Sequence, residues 1–290
     1  MLSIPAYAKL NLSLDVLGRR PDGYHDIRSV VQTVSLADLI TLRPRRNLVV
    51  ESPISPPEQD LVWQAARLLQ RSAGADRGAR IQVRKEIPVG AGLGGGSADA
   101  AATLVGLNEL WALGLTQVDL MEIGAELGSD VPFLVRGGTA LLEGRGDRVT
   151  PLPALAPAFF VILWPNFSLD TGRVYRLVAS RSGACSSELL DQLAAGHWRP
   201  TGNDLTDAAC QVAPDLGKWI ADLTGRMGRA PQLTGSGSAV FFLADSQQHA
   251  ETLAARAPAG GFVRVVQTVE EKALDRANAR ADRGRDPGGH

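Results

Sequence analysis

Between Pro88 and Ala98 the chain runs Pro-Val-Gly-Ala-Gly-Leu-Gly-Gly-Gly-Ser-Ala, and no other stretch restricts the possible folds as tightly. Upstream, Arg80 to Ile87 alternates polar with apolar residues, the period of a strand. Downstream, Leu104, Leu107 and Trp111 follow a three-then-four spacing, the period of an amphipathic helix. A glycine-rich turn from strand into helix leaves backbone amides bare and aims the positive end of the helix dipole outward. The residues Pro88, Val89, Gly90, Ala91, Gly92, Leu93, Gly94, Gly95, Gly96, Ser97 and Ala98 are therefore expected to cradle phosphate.

Two familiar nucleotide loops do not fit. Gly90, Gly92 and Gly95 satisfy the spacing of a dinucleotide fingerprint. The strand before them, however, alternates charged with apolar residues, whereas the central parallel strand of that fold is nearly continuously apolar. Glu109 and Asp119 also miss the place, about 20 residues on, where an acidic ribose ligand belongs. The Walker loop needs a lysine directly before its Ser or Thr, and here Gly96 precedes Ser97. Phosphate must then be neutralised by amides, helix dipole and metal rather than by a lysine built into the loop.

Charge and composition remove further classes. Lys plus Arg number 30 against 31 Asp plus Glu, a formal charge of -1, so neither nucleic acid nor an anionic membrane is an expected partner. Cys185 and Cys210 are too few for a disulfide framework, lack zinc-site spacing, and read as reduced cytosolic thiols. No apolar run approaches ~20 residues and the first ten show no secretory pattern, so the chain is expected to be cytoplasmic and membrane-free. There is no Gly-x-Ser-x-Gly elbow and no metal spacing among the four histidines, which sets hydrolases and metalloenzymes aside.

The remaining pattern is α+β. Leu2 to Leu17 predicts one strand with a polar interruption, Arg19 to Gly23 a turn, and Ile27 to Leu42 a second extended segment. A loop containing Pro53, Pro56 and Pro57 leads to Asp60, which can cap a helix through Leu69. A helix over Gln117 to Leu127 and a strand over Thr139 to Leu142 follow. Three prolines between Pro151 and Pro157 resist helix and central strand and predict a domain boundary. Beyond it lie a strand at Phe159 to Leu163, helices near Glu188 to Ala195, Leu205 to Leu223 and Gln248 to Ala255, and strands at Ala239 to Leu243 and Phe262 to Val269. The end, rich in Arg, Asp and Gly, is expected to be disordered over 273–290.

Three segments together resemble the GHMP kinase superfamily: Pro5-Ala-Tyr-Ala-Lys9-Leu-Asn11-Leu12, the glycine-rich run, and Leu233-Thr-Gly235-Ser236-Gly237-Ser-Ala-Val240. They are spread over nearly the whole chain. The run from Lys9 to Arg-Arg-Pro-Asp-Gly23-Tyr24-His25 is similar to the branch of that superfamily acting on a cytidine-diphosphate-linked methylerythritol. The resemblance implies a two-domain GHMP kinase fold: a ribosomal-protein-S5-like ATP-binding domain over 1–155 and a ferredoxin-like domain over 156–272. It implies ATP with Mg2+, metal ligands unassigned, and transfer of the γ-phosphate to the 2-hydroxyl of that substrate in non-mevalonate isoprenoid precursor biosynthesis. A monomer or homodimer is expected.

By the same likeness Lys9 and Asp130, the latter in Gly128-Ser-Asp-Val-Pro-Phe133, carry catalysis. His25 is implied as hydrogen-bonding partner of the cytosine base, with Tyr24 and Tyr175 stacking on its faces. Asn11, Thr171, Gly235 and Ser236 are implied to lie near the substrate. The loop departs from relatives at Ala91 and at Ala98-Asp99, where Gly and Ser-Asn are frequent. Rival readings are another GHMP small-molecule kinase with a mevalonate- or sugar-type substrate, a nicotinamide dehydrogenase, and a regulatory module that has lost its chemistry.

Overall fold

A computed structural model describes residues 1–53, 59–72, 74, 77–178 and 184–270. Pro56, Pro57 and the 273–290 tail lie outside the described residues. The first unit is organised by one long antiparallel hairpin. Strands β1 (Leu2–Asn11) and β2 (Ser13–Arg19) run in succession along β3 (His25–Arg45), from Leu2 opposite Leu42 to Arg19 opposite His25. The single expected strand is thus two, nearly collinear, with Leu12 N still donating to Val30 O at 2.8 Å. On its other side β3 takes β5 (Gly78–Arg84) and β6 (Thr139–Gly144), with β4 (Val49–Glu51) beside β5. Among the described residues β7 (Arg148–Pro151) pairs only with β6. Pro151, read from the sequence as a strand breaker, instead ends this strand, a position where its missing N–H costs no ladder bond.

Helices α1 (Leu61–Ser72), α2 (Gly95–Leu110), α3 (Gln117–Ala125) and α4 (Val131–Arg136) cover one face of the sheet. Asp60 does cap α1: its Oδ1 accepts from Val62 N at 2.9 Å. Ile4, Ile40, Leu42, Ala101, Leu104 and Phe133 share this core, each at most 1% exposed. Burying one such large apolar side chain is worth roughly 1.5–3 kcal/mol.

After Pro151 the chain starts a second sheet at β8 (Phe159–Trp164), flanked by β11 (Val240–Ala244) and β12 (Phe262–Gln267), with the short β10 (Gln232–Leu233) beyond β11. Helices α5 (Thr171–Leu177), α6 (Ala184–Ala194), α7 (Thr206–Val212), α8 (Pro214–Met227) and α9 (Gln247–Ala255) belong to this half. The helical pattern over Leu205 to Leu223 proves to be two helices, broken at Ala213 because Pro214 pushes the preceding residue into extended backbone.

The halves share a core, in which Ala8, Leu10, Leu12, Val30 and Val34 pack with Phe160, Ile162 and Phe241. They are also stitched by backbone. β9 (Gly202–Asn203) pairs with β2, and Val269 N donates to Thr33 O at 2.9 Å. Between them opens a cavity of about 900 Å³.

Candidate active site

The cavity wall begins at the end of β1. The register shifts between Tyr7 and Lys9, a bulge of the kind that re-aims side chains, and the two-residue strand period then sends Lys9 and Asn11 to the same face. Lys9 is 4% exposed. A buried ammonium needs partners, and it has them: Nζ donates to Asn11 Oδ1 at 2.7 Å and lies 3.4 Å from Asp130 Oδ2. Asn11 is itself fixed, donating to Ser29 Oγ at 2.8 Å and accepting from Gly235 N at 2.8 Å.

Asp130 stands at the start of α4, with Pro132 in the first turn, the sequence pattern of a helix cap. Its side chain makes no cap hydrogen bond; it turns to the cavity and Lys9 instead. Asp130 is about one-third exposed, so it can meet a ligand while Lys9 remains behind it.

The glycine-rich loop closes one side. Lys9 N donates to Leu93 O at 3.0 Å, and Ala239 N to Ala91 O at 3.0 Å, so the loop is held between β1 and the turn preceding β11. Two glycines are required by contact as well as conformation. Gly92, at φ +83°, would place a Cβ 2.3 Å from Thr234 O, and Gly94, at φ +73°, would place one 3.1 Å from Lys9 Cγ. Of the eleven expected phosphate-cradle residues, Gly92, Gly94 and Ser97 line the cavity. Ala91, Leu93 and Ala98 are buried beneath them, and Pro88, Val89, Gly90, Gly95 and Gly96 are not in the lining, since a curved loop presents only its inner turn.

The opposite wall comes from the β2–β3 turn and α5. Arg20 N donates to Tyr24 O at 2.8 Å across Gly23, which sits at φ +89°, so Tyr24 and His25 emerge at the rim. Asp170 caps α5 by accepting from Arg173 N at 2.9 Å. The four-residue helical spacing then brings Thr171 and Tyr175 to the cavity. The His25 and Tyr175 rings lie 5.3 Å apart at 32°, and burial with the nearby Arg19 charge holds the His25 imidazole below the usual histidine range. Burial, helped by Asp130, pushes the Tyr175 phenol upward, so it stays neutral. Thr171 Oγ1 and Ser236 Oγ share a hydrogen bond of 2.8 Å, joining α5 to the Gly235 turn.

All seven expected substrate-side residues, Asn11, Tyr24, His25, Thr171, Tyr175, Gly235 and Ser236, line this one cavity together with Lys9 and Asp130. Sequence reasoning missed Arg19, Arg145 and Arg176, which also line the cavity, and Ser129 beside Asp130. The Arg145 guanidinium lies 5.5 Å from the Tyr24 ring centre. The only signal for Arg145 was its place between two glycines after a strand.

Asn203 accepts from Leu205 N at 2.9 Å, as a helix-capping side chain does, but also donates to Leu233 O and Gly235 O, at 3.0 and 2.8 Å. It thereby fixes the Gly235 turn. Asp204 accepts from Val16 N at 2.9 Å.

Arranged this way, an ammonium–carboxylate pair faces a cavity with bare loop amides on one side and aromatic rings on the other. Residues 60–138 match the family described as GHMP kinases N terminal domain. The 4-diphosphocytidyl-2-C-methyl-D-erythritol kinase of Moorella thermoacetica is 41% identical over 270 residues, covering 88% of this chain and 94% of its own. That of Dehalococcoides mccartyi is 40% identical over 263 residues, covering 87% and 93%. A crystal structure of 4-(cytidine 5'-diphospho)-2C-methyl-D-erythritol kinase superposes with a TM-score of 0.81 at 35% identity, over 92% of this chain and 99% of that one. Mevalonate kinase from L. major shares the fold, with a TM-score of 0.69 at 16% identity over 93% of this chain and 96% of its own. Similarity of this extent, carried over nearly full length, means that the chain belongs to the 4-diphosphocytidyl-2-C-methyl-D-erythritol kinases, within the GHMP kinases.

Proposed function

We infer that this enzyme transfers the γ-phosphate of ATP to the 2-hydroxyl of 4-diphosphocytidyl-2-C-methyl-D-erythritol, in non-mevalonate isoprenoid precursor biosynthesis. The observation that carries the reading is the Lys9–Asn11–Asp130 group, set between the glycine-rich loop and the His25–Tyr175 wall of one cavity. Mevalonate- or sugar-type substrates are not favoured: the mevalonate kinases share the fold at 13–16% identity, whereas the relatives of about 40% identity carry the cytidine substrate in their names.

Phosphoryl transfer asks mainly for positioning and charge stabilisation. In this reading Gly92, Gly94 and Ser97 receive the ATP phosphates at the positive end of α2, and Asp130 accepts the proton of the attacking hydroxyl. The hydroxyl oxygen forms a bond to the γ-phosphorus, the bond to the β,γ-bridging oxygen breaks, and ADP leaves. Lys9 holds the Asp130 carboxylate in line and balances charge on the transferring group. Tyr24 and Tyr175 flank the cytosine while neutral His25 hydrogen-bonds its edge. Asn11, Thr171, Gly235 and Ser236 shape the wall near the hydroxyl.

Among the described residues, no group of three ligating side chains lines the cavity; Asp15, Cys185 and Asp204 form such a group outside the lining. Asp130 is the lining carboxylate that would hold a magnesium ion brought with ATP, as an oxygen donor of the kind that hard cation takes. When bound, the ion neutralises phosphate charge.

The S5-like and ferredoxin-like descriptions of the two units, divided at about residue 155, remain our reading. So do a cytoplasmic setting and a monomer or homodimer. No helix among the described residues is long and apolar enough to cross a membrane. The test is ATP consumption with magnesium and the cytidine substrate, against mevalonate and homoserine, in wild type and Asp130→Ala. Turnover with the cytidine substrate alone, lost in the variant, supports the reading; turnover of another alcohol in its place overturns the substrate.

A further inference from the structure

A second charged cluster lies behind the glycine-rich loop, outside the cavity lining. Lys85 follows β5 directly, and its Nζ donates to Asp99 Oδ2 at 2.6 Å and also to Asp38 Oδ2. Asp38, on β3, uses its other oxygen to accept from Glu86 N and Ile87 N, at 2.5 and 2.8 Å. The segment that enters the loop is thus anchored to the central strand. Lys85 Nζ lies 3.5 Å, and Ile87 Cγ2 2.9 Å, from where a Gly95 Cβ would stand. The ammonium therefore sits under the first residue of α2. A loop with no lysine of its own is flanked by two: Lys9 in the cavity wall against Gly94, and Lys85 behind Gly95.

The charges do not balance when all three groups are ionised. Two carboxylates share one ammonium, for a net charge of -1. Asp99 is 5% exposed, and its Oδ1 has no hydrogen-bond partner among the described residues. A buried carboxylate with an unmatched oxygen is costly as an anion and much less so with a proton. The charged groups acting on it are Lys85 from the end of β5 and Asp38 from β3. α1 presents the apolar Leu61 to the helix start, 3.4 Å from where a Gly96 Cβ would stand.

We propose that Asp38, Lys85 and Asp99 form a positioning cluster for the nucleotide site, in which one proton on Asp99 sets the charge behind the phosphate loop and couples ATP binding to proton uptake. This rests on ATP occupying that loop. Burial raises the Asp99 carboxyl, Lys85 pulls it back down, and Asp38 raises it again, leaving it at about 8. The incoming triphosphate adds negative charge and raises it further. Below that range the cluster is neutral and the loop accepts phosphate. Above it the cluster is anionic and repels phosphate.

Calorimetric titration of the full-length enzyme with magnesium and a non-hydrolysable ATP analogue tests this, from about pH 7.5 to about pH 9.5 in buffers of different ionisation enthalpy. The wild-type Kd is expected to rise roughly threefold to tenfold across that range, with proton uptake on binding. D99N should flatten the rise and lose that uptake, and D38N, which removes the like charge, should move the rise to lower pH. Kinetically the effect belongs in KM for ATP and not in KM for the cytidine substrate. Equal profiles in wild type and D99N overturn the proposal, as does a D38N profile unmoved from wild type should D99N fail to fold. Gly92→Ala serves as the separate arm. Retained ATP binding there would remove ATP from this loop, whereas lost binding beside an unchanged D99N profile would sink the cluster's role alone.

Discussion

Lys9 Nζ and Asp130 Oδ2 lie 3.4 Å apart, one at the end of the first strand and the other at the start of α4, and the pair forms the base of the cavity. The 2.7 Å bond from Lys9 to Asn11 sets the ammonium's direction, leaving the carboxylate free to face a hydroxyl.

Asp130→Asn keeps shape and loses basicity. Because the native side chain caps nothing, helix α4 should tolerate the change, and the stability loss, about 1–3 kcal/mol, should come from the buried Lys9 ammonium losing its carboxylate partner. Steady-state kinetics should show kcat falling roughly 10²- to 10⁴-fold with little change in KM for either substrate. A kcat within a factor of two of wild type would remove Asp130 from the chemistry.

Gly92→Ala combines a left-handed backbone position with a Cβ 2.3 Å from Thr234 O. The expected cost is about 1–3 kcal/mol in chemical denaturation, together with lost ATP binding, because the loop must shift away from the Gly235 turn. Unchanged midpoint and ATP affinity would mean that the loop and turn are not tightly joined.

His25 is held neutral by burial and the Arg19 charge, so protonation is harder in the folded enzyme. Its folded value is depressed, hence its contribution to stability is present above the unfolded value of about 6.5 and is lost as pH falls through the folded one. Binding of the cytidine substrate should weaken over the same acid range, and His25→Gln should remove that dependence. Tyr175→Phe should bind the substrate nearly as wild type does. Tyr175→Leu should lose about 0.5–1.5 kcal/mol, the aromatic contribution. A phenylalanine variant as weak as the leucine one would show that the hydroxyl, not the ring, matters.

Asn203→Ala strips donors from Leu233 O and Gly235 O and the acceptor from Leu205 N. Leaving such groups unmatched costs about 1–3 kcal/mol, which a urea melt will read. Since Gly235 N bonds Asn11 Oδ1, the looser turn should also lower kcat through Lys9. Reduced stability with kcat intact would confine Asn203 to a structural role.

The phosphate loop was legible in the sequence because glycine between a strand period and a helix period is a local pattern. The same holds for the Gly23 turn that brings Tyr24 and His25 to the rim and for the Asp60 cap. Element ends were less so: one strand became two at Leu12, Pro214 split an apparent single helix, and Pro151 ended a strand. The two strand cases depend on ladder partners far along the chain, which a periodicity cannot contain, whereas the Pro214 break is the local restriction on the residue before a proline.

For Lys9 and Asp130 the sequence by itself determined residue types and, through the family resemblance, their pairing; nothing local distinguished Asp130 from a helix cap. Tertiary structure decided which way that carboxylate points, that Asn203 holds the Gly235 turn, that Arg145 faces Tyr24, and that Lys85 joins Asp99 on α2 to Asp38 on β3. Dihedral preferences and apolar spacing act over a few residues and so are written along the chain. Charge pairing and burial depend on distance in space, and that distance exists only after the β3 hairpin and the second sheet have packed together.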